Sequence, residues 1–216
     1  MVASAARAHG RSDGDVSVSV WDERYSGDEY FYGTEPNAFL VSQHAQFKPG
    51  MKCLAMADGE GRNGVWLAQQ GLDVLSVDAS PVAQAKAQRL AQQRGVKMRF
   101  AQVDMLNWDG AGETFDVVVA IFIQFVGPAQ RAQQFANLKR YLKPGGVLLL
   151  QGYTPRQLDY KTGGPSQVEN LYTEAMLREG LADMEILHLS EHDDIIHEGM
   201  GHSGLSALID LVVRKT

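Results

Sequence analysis

Residues 53–78 read CLAMADGEGRNGVWLAQQGLDVLSVD, and this stretch decides the fold. Cys53 to Ala57 is a short apolar run suited to a strand buried on both faces. Asp58-Gly59-Glu60-Gly61-Arg62-Asn63-Gly64 follows as a glycine-rich turn, and Val65, Leu67 and Ala68 then form an apolar helical stripe. Gly71 stands where a helix C-cap belongs, and a second apolar run, Val74 to Val77, stops at Asp78. The order is strand, glycine turn, helix, strand, acid: a βαβ unit shaped to hold a nucleotide.

Each part has a physical reason. Glycine lets the backbone approach a ligand and take positive φ. The helix start beyond it offers unpaired N–H groups and a partial positive charge to an anionic group. An acid ending the second strand can accept both hydroxyls of a ribose, and Asp78 lies nineteen residues after Gly59, close to the roughly 20 expected of that acid. The same letters also suit a tight turn beside a surface aspartate, so the remaining strands have to decide.

Downstream, Ser80-Pro81 reads as N-cap and first residue of a helix, with Ala83, Ala87, Leu90 and Ala91 on one face and Gly95 as its stop. A third strand spans Val96 to Val103 and ends at Asp104-Met105; a fourth, β-branched and suited to the sheet centre, spans Phe115 to Phe122. Gly127-Pro128 opens a helix carrying Phe135, Leu138 and Leu142, and Lys143-Pro144-Gly145-Gly146 leads into a fifth strand, Val147 to Leu150. Thr173 caps a short helix ending at Gly180. Met184 to Leu189 and Leu205 to Val213 read as strands, with EHDDIIHEGMGHSG joining them as a long hairpin.

Upstream, residues 1–20 read as a disordered tail and residues 21–216 as one domain, with a cap over about 21–48. Trp21, Tyr25, Tyr30, Phe31 and Tyr32 precede Gly33 and a Pro36-Asn37 turn, after which Phe39, Leu40 and Phe47 suit a short helix against the core. Trp21 and Tyr25, four residues apart, share a helical face and are candidates for a lid over a ligand. The 216 residues suffice for one full core. A net charge of −6 without a long basic run weighs against nucleic acid or an anionic membrane as partner. Cys53 is the single cysteine, so no disulfide forms within a monomer, and no apolar run approaches the ~20 residues of a membrane span. The first twenty residues lack an apolar signal core, so a cytoplasmic, soluble chain is expected.

With five strands alternating with helices, acids ending strands two and three, the Lys-Pro-Gly-Gly turn and a closing strand pair, residues 20–214 resemble a class I S-adenosylmethionine-dependent methyltransferase. GEGRNGVWLAQQGLDV followed by VDASPVAQAKA is most similar to the tellurite-resistance and thiopurine-type small-molecule methyltransferases. The resemblance implies an α/β, Rossmann-like doubly wound fold, with a mostly parallel seven-stranded sheet and a terminal antiparallel strand. It implies S-adenosyl-L-methionine as cofactor and a small-molecule methyl acceptor, such as a thiol or a selenium or tellurium oxyanion. Gly59, Glu60 and Gly61 would lie along the methionine part, Asp78 would hold the ribose and Ala79 would sit beside the adenine. Asp104 would accept from the adenine amino group, Met105 would pack on the ring, and Ile121 would lie near the sulfonium. One position departs from the pattern: Ala55 stands where the family places an acid in the first strand, and Asp58 is the compensating candidate.

Gln124, Tyr153 and Arg156 fall just beyond the ends of strands four and five and are substrate-pocket candidates. His188, His192, Asp193, Asp194, His197 and His202 match no metal-binding spacing, so a solvated hairpin is expected and no metal. No residue stands out as a catalytic base. Two rival readings share the motif: a nicotinamide-dependent oxidoreductase, which the chain is short for, and a non-catalytic S-adenosylmethionine-binding module.

Overall fold

In the computed structural model, which describes residues 18–216, one seven-stranded sheet is ordered β3-β2-β1-β4-β5-β7-β6. The strands are β1 (Lys52–Met56), β2 (Asp73–Asp78), β3 (Arg99–Gln102), β4 (Phe115–Ile121), β5 (Leu142–Tyr153), β6 (Met184–Glu198) and β7 (His202–Lys215). The first five pair in parallel, whereas β7 runs antiparallel to both β5 and β6. This is the mostly parallel, doubly wound sheet that the alternation of strands and helices predicts.

Alternate residues of the central strands face two different layers. Leu54, Met56, Val118 and Ala120 pack with Phe135 and Leu138 of α5 (Pro128–Tyr141) and Leu177 of α7 (Glu174–Gly180). Cys53, Ala55, Val117 and Val119 pack with Leu67 of α3 (Arg62–Gln69) and with Phe39 and Leu40 of α2 (Ala38–Ser42). Burial on both faces explains why these strands read as unbroken apolar runs. Each fully buried Leu, Val, Met or Phe among them contributes about 1.5–3 kcal/mol relative to exposure.

Caps fall where the side chains demand. Ser80 accepts from Ala83 N–H at 3.1 Å to open α4 (Pro81–Gln93), and Asn37 and Thr173 cap α2 and α7 in the same way. Other boundaries move for identifiable reasons. β3 is shorter than expected because Val96 N–H bonds back to Ala91 C=O at 3.0 Å, closing the end of α4 instead of pairing. β5 starts early, with Lys143–Gly146 bulging between the Phe115–Leu142 and Val117–Val147 pairs. The His- and Asp-rich segment is paired along its whole length, from Glu191 opposite Ile209 to Glu198 opposite His202.

Of the expected N-terminal tail, residues 1–17 lie outside the described residues. Val18 to Val20 are instead the first turn of α1 (Val18–Tyr25), which carries Trp21 and Tyr25 as stacked rings 5.9 Å apart. α6 (Gln157–Tyr160) is a single turn beyond β5. The strand order reverses between β1 and β4, so the crevice favoured for ligands in open α/β sheets lies above their carboxyl ends.

Candidate active site

Above β1 the chain turns sharply. Ala57, Gly59 and Gly61 all take positive φ (48, 57 and 88°), which folds Asp58 inward. Asp58 accepts from Gly64 N–H at 3.0 Å and from the Ser76 hydroxyl at 2.7 Å, so it fixes the start of α3 rather than reaching outward. Burial raises its pKa to about 7; those two bonds oppose the rise and the nearby Asp78 charge adds to it. Asp78 accepts from Gly59 N–H at 2.8 Å and Ser80 N–H at 2.9 Å, tying the glycine turn to the start of α4. Its pKa is also raised, first by burial, against the pull of its N–H bonds.

A cavity of about 820 Å³ opens over this turn. The structure brings Trp21, Tyr25, Gly59, Glu60, Asp78, Ala79, Asp104, Met105 and Ile121 to its wall, with Gln124 and Tyr153. Two expected residues are elsewhere. Gly61 is pressed on α4, where an added Cβ would lie 2.6 Å from that of Ala87, so its lack of a side chain serves helix packing. Arg156 is exposed and binds Asp193 at 2.6 Å, outside the cavity. Glu60 and Gln124 reach the wall with their polar atoms already engaged. Glu60 pairs with Lys86 at 2.6 Å, and the Gln124 amide bonds the backbone of Tyr153 and Asn170.

The far side of the cavity is a roof made from distant segments. Lys86, 1% exposed, donates to the carbonyls of Tyr25, Gly27 and Glu29 at 3.3, 2.8 and 2.6 Å, so α4 clasps the N-terminal segment from beneath. Ser80 adds a bond to Asp22 at 2.6 Å. At the hairpin tip, Met200 N–H donates to Phe31 C=O at 2.8 Å, joining roof to cap.

Behind that junction runs a buried polar chain. Glu198 accepts from Arg62 at 2.6 Å and Asn37 at 2.8 Å, and its Oε2 lies 3.4 Å from His202 Nδ1. Asn37 also bonds Gln151, Gln151 bonds Asp210, and Asp210 meets His192. Burial works to raise the Glu198 pKa, but the His202 bond and the Arg62 charge outweigh it and hold it at about 2. Burial lowers the His202 pKa, with Glu198 opposing.

His202 is ringed by Tyr32, Phe122 and Tyr153, with centroids 4.5, 4.5 and 5.6 Å away, and all four line the cavity. The distal hairpin is therefore solvated only in part: Asp193, Asp194 and His197 are exposed as its letters suggest, whereas Glu198 and His202 are 8% and 7% exposed. Reading the sequence also missed Arg62, Lys86 and Tyr32. The one local hint was the Gly-Met-Gly-His tip facing an aromatic cluster far upstream.

Residues 53–146 match the family described as a methyltransferase domain. Over 112 residues, 51% of each chain, the protein is 34% identical to an uncharacterized methyltransferase of Synechocystis sp.. The chain spans about half the length of the curated relatives it matches. Among solved structures, it aligns at TM-score 0.76 and 20% identity, over 92% of both chains, with one described under the conversion of a disulfide bond into a thioacetal group during echinomycin biosynthesis. It aligns at TM-score 0.68 and 14% identity with the N-methyltransferase NodS from Bradyrhizobium japonicum in complex with S-adenosyl-L-homocysteine, covering 92% and 97% of the two chains. At these identities the structural likeness is one of fold.

Proposed function

We propose that this chain, which carries a methyltransferase domain over residues 53–146 on the class I methyltransferase fold, transfers a methyl group from S-adenosyl-L-methionine to a small molecule. The observation that carries the reading is one continuous cavity that runs from the strand-end acids Asp78 and Asp104 to the aromatic roof. The residues fit such a cofactor. An added Cβ at Gly59 would come within 3.1 Å of the Tyr25 hydroxyl, so glycine there lets the turn lie directly beneath the ring that covers the site. Each Asp78 oxygen holds one backbone N–H and keeps acceptor capacity for a hydroxyl. Bound there, the cofactor supplies a methyl group on a positively charged sulfur, an activated leaving group. The protein's part is to align the acceptor and exclude water.

Trp21 and Tyr25 cover the cofactor end as part of the cap formed by residues 21–48. Ala79, Met105 and Ile121 supply apolar contact, while Gly61, Glu60 and Gln124 hold the walls. For the acceptor, a thiol suits the roof better than a selenium or tellurium oxyanion. Of the two cations lining the cavity, Arg62 is already paired with Glu198 and Arg24 donates to the Tyr32 hydroxyl at 3.0 Å. Among the described residues, Arg62 Nη1 and most of the Arg24 guanidinium stay open to an anion; what favours a thiol is the ring environment, in which a neutral, polarisable sulfur gains contact with Tyr32, Phe122 and Tyr153. A cytoplasmic site of action accords with this chemistry and with the single buried Cys53. Among the described residues no helix is long and apolar enough to cross a membrane.

Binding of S-adenosylhomocysteine, read by calorimetry and by melting temperature, tests the reading. At 100-fold over its dissociation constant the ligand is expected to stabilise the protein by about 2.7 kcal/mol. A response to NADH with none to either sulfur ligand would restore the oxidoreductase reading. Binding without turnover to S-adenosylhomocysteine would leave a binding module.

A further inference from the structure

The roof holds a titratable group that the cofactor site does not use. His202 sits in the cavity wall with Nδ1 turned to Glu198. An ionised carboxylate only accepts, so Nδ1 carries the hydrogen and the neutral ring keeps its lone pair on Nε2. Nε2 makes no hydrogen bond among the described residues, and the ring that carries it lines the cavity, so this lone pair is free for a ligand there. Glu198 is itself pinned by Arg62 and Asn37, so the imidazole orientation is set from three elements: α3, the turn before α2, and the end of β6. Nucleophile, base and orienting carboxylate form the usual logic of an activated acceptor.

We propose that His202 is the general base that takes the proton of the thiol acceptor, and that Glu198 is the positioning residue that fixes its tautomer. The proposal rests on the methyltransferase reading above. The thiol S–H bond breaks and its proton passes to Nε2. The sulfur lone pair forms the new S–CH3 bond, and the electron pair of the broken CH3–S⁺ bond stays on the departing sulfur. The imidazolium then returns its proton to water. The charges facing His202 are Glu198 and the guanidinium groups of Arg62 and Arg24; the hydroxyl-bearing rings around it are Tyr32 and Tyr153. Glu198 favours the protonated ring and the two arginines disfavour it, while burial keeps the resting ring neutral.

The test uses the whole chain, two thiols and one measurement without cofactor. 2-Mercaptoethanol is protonated near neutral pH, while 4-nitrothiophenol is already a thiolate there. His202→Gln is expected to slow methylation of 2-mercaptoethanol ~10²-fold near neutral pH, in the range of lost general-base catalysis. The loss should shrink at alkaline pH, where the thiol ionises unaided, and transfer to 4-nitrothiophenol should fall less than about threefold because it presents no proton to remove. In the cofactor-free protein, the His202 ring followed by NMR should titrate below the ordinary value of about 6.5. Glu198→Gln should lower that midpoint further.

Equal losses with both thiols at every pH would make His202 structural and overturn the proposal, as would no loss at all or a midpoint at or above the ordinary value. A parent protein that binds S-adenosylhomocysteine yet methylates neither thiol overturns this proposal alone. One that fails to bind it overturns the methyltransferase reading beneath.

Discussion

The floor and the roof of the cavity are built on different principles. The floor, from Cys53 to Met105, is held by short-range backbone geometry: glycines at positive φ, and Asp78 bonded to Gly59 and Ser80. The roof joins residues far apart in sequence through side chains, as Lys86 does with Tyr25 to Glu29 and Glu198 does with Arg62 and Asn37. A floor of this kind is shaped for a fixed ligand, whereas a roof of paired charges can be retuned one residue at a time. The comparison makes separable predictions: cofactor affinity answers to floor changes and the acceptor to roof changes, while stability responds to pH with opposite sign in the two.

The largest effect is expected at Asp78. Asp78→Ala removes the carboxylate expected to hold two ribose hydroxyls, each charge-assisted bond contributing roughly 1.5–3 kcal/mol. It also leaves Gly59 and Ser80 N–H without their acceptor. S-adenosylhomocysteine affinity should fall by about 100-fold or more, measured calorimetrically on protein whose circular dichroism shows it folded. Affinity within about twofold of the parent would mean that the roof, not the floor, holds the cofactor.

Next comes Lys86→Met, which removes the clasp between α4 and the N-terminal segment. It leaves Glu60, 3% exposed, as an unpaired buried charge. Breaking such a pair costs about 3–5 kcal/mol, so the urea midpoint should drop sharply, and adding Glu60→Gln should restore part of the loss. A cost under about 1 kcal/mol would mean that residues 25–29 merely rest on α4.

The floor was legible because its signals are local. Strand, glycine turn, helix and acid occupy 26 consecutive residues, and the capping roles of Ser80 and Thr173 follow from their immediate neighbours. The roof was not, for a physical reason. Lys86 looks like one more surface lysine of an amphipathic helix until the carbonyls of Tyr25, Gly27 and Glu29 arrive above it. His202 and Glu198 sit among acids and histidines whose other members, such as Asp193 and Asp194, do face solvent. Nothing in the spacing says which end of the hairpin folds under the cap. Gly61 was misplaced for the opposite reason: its turn was read correctly, but its α-carbon faces Ala87 rather than the cavity.

The smallest effects are in pH, and floor and roof should respond in opposite directions. In the roof, Glu198 titrates at about 2 when folded against 4.5 for the free side chain. Between those values the unfolded chain binds the extra proton, so the roof's contribution is full above about pH 4.5 and is lost as pH falls towards about 2. In the floor, Asp58 titrates at about 7 against 3.8. There the folded chain holds the extra proton, so stability declines as pH rises from 3.8 to about 7 and is level beyond. Asp58→Asn keeps an acceptor for Gly64 N–H and a donor for the Ser76 oxygen while removing the ionisation. It should therefore flatten the decline and stabilise the protein near neutral pH by about 2 kcal/mol, less than the full shift implies because cavity water screens part of the charge. Glu198→Gln should flatten only the acid limb. Urea unfolding across the acid-to-neutral range reads both. A single variant that flattened both limbs would show that floor and roof titrate as one network, and the division between them would fall.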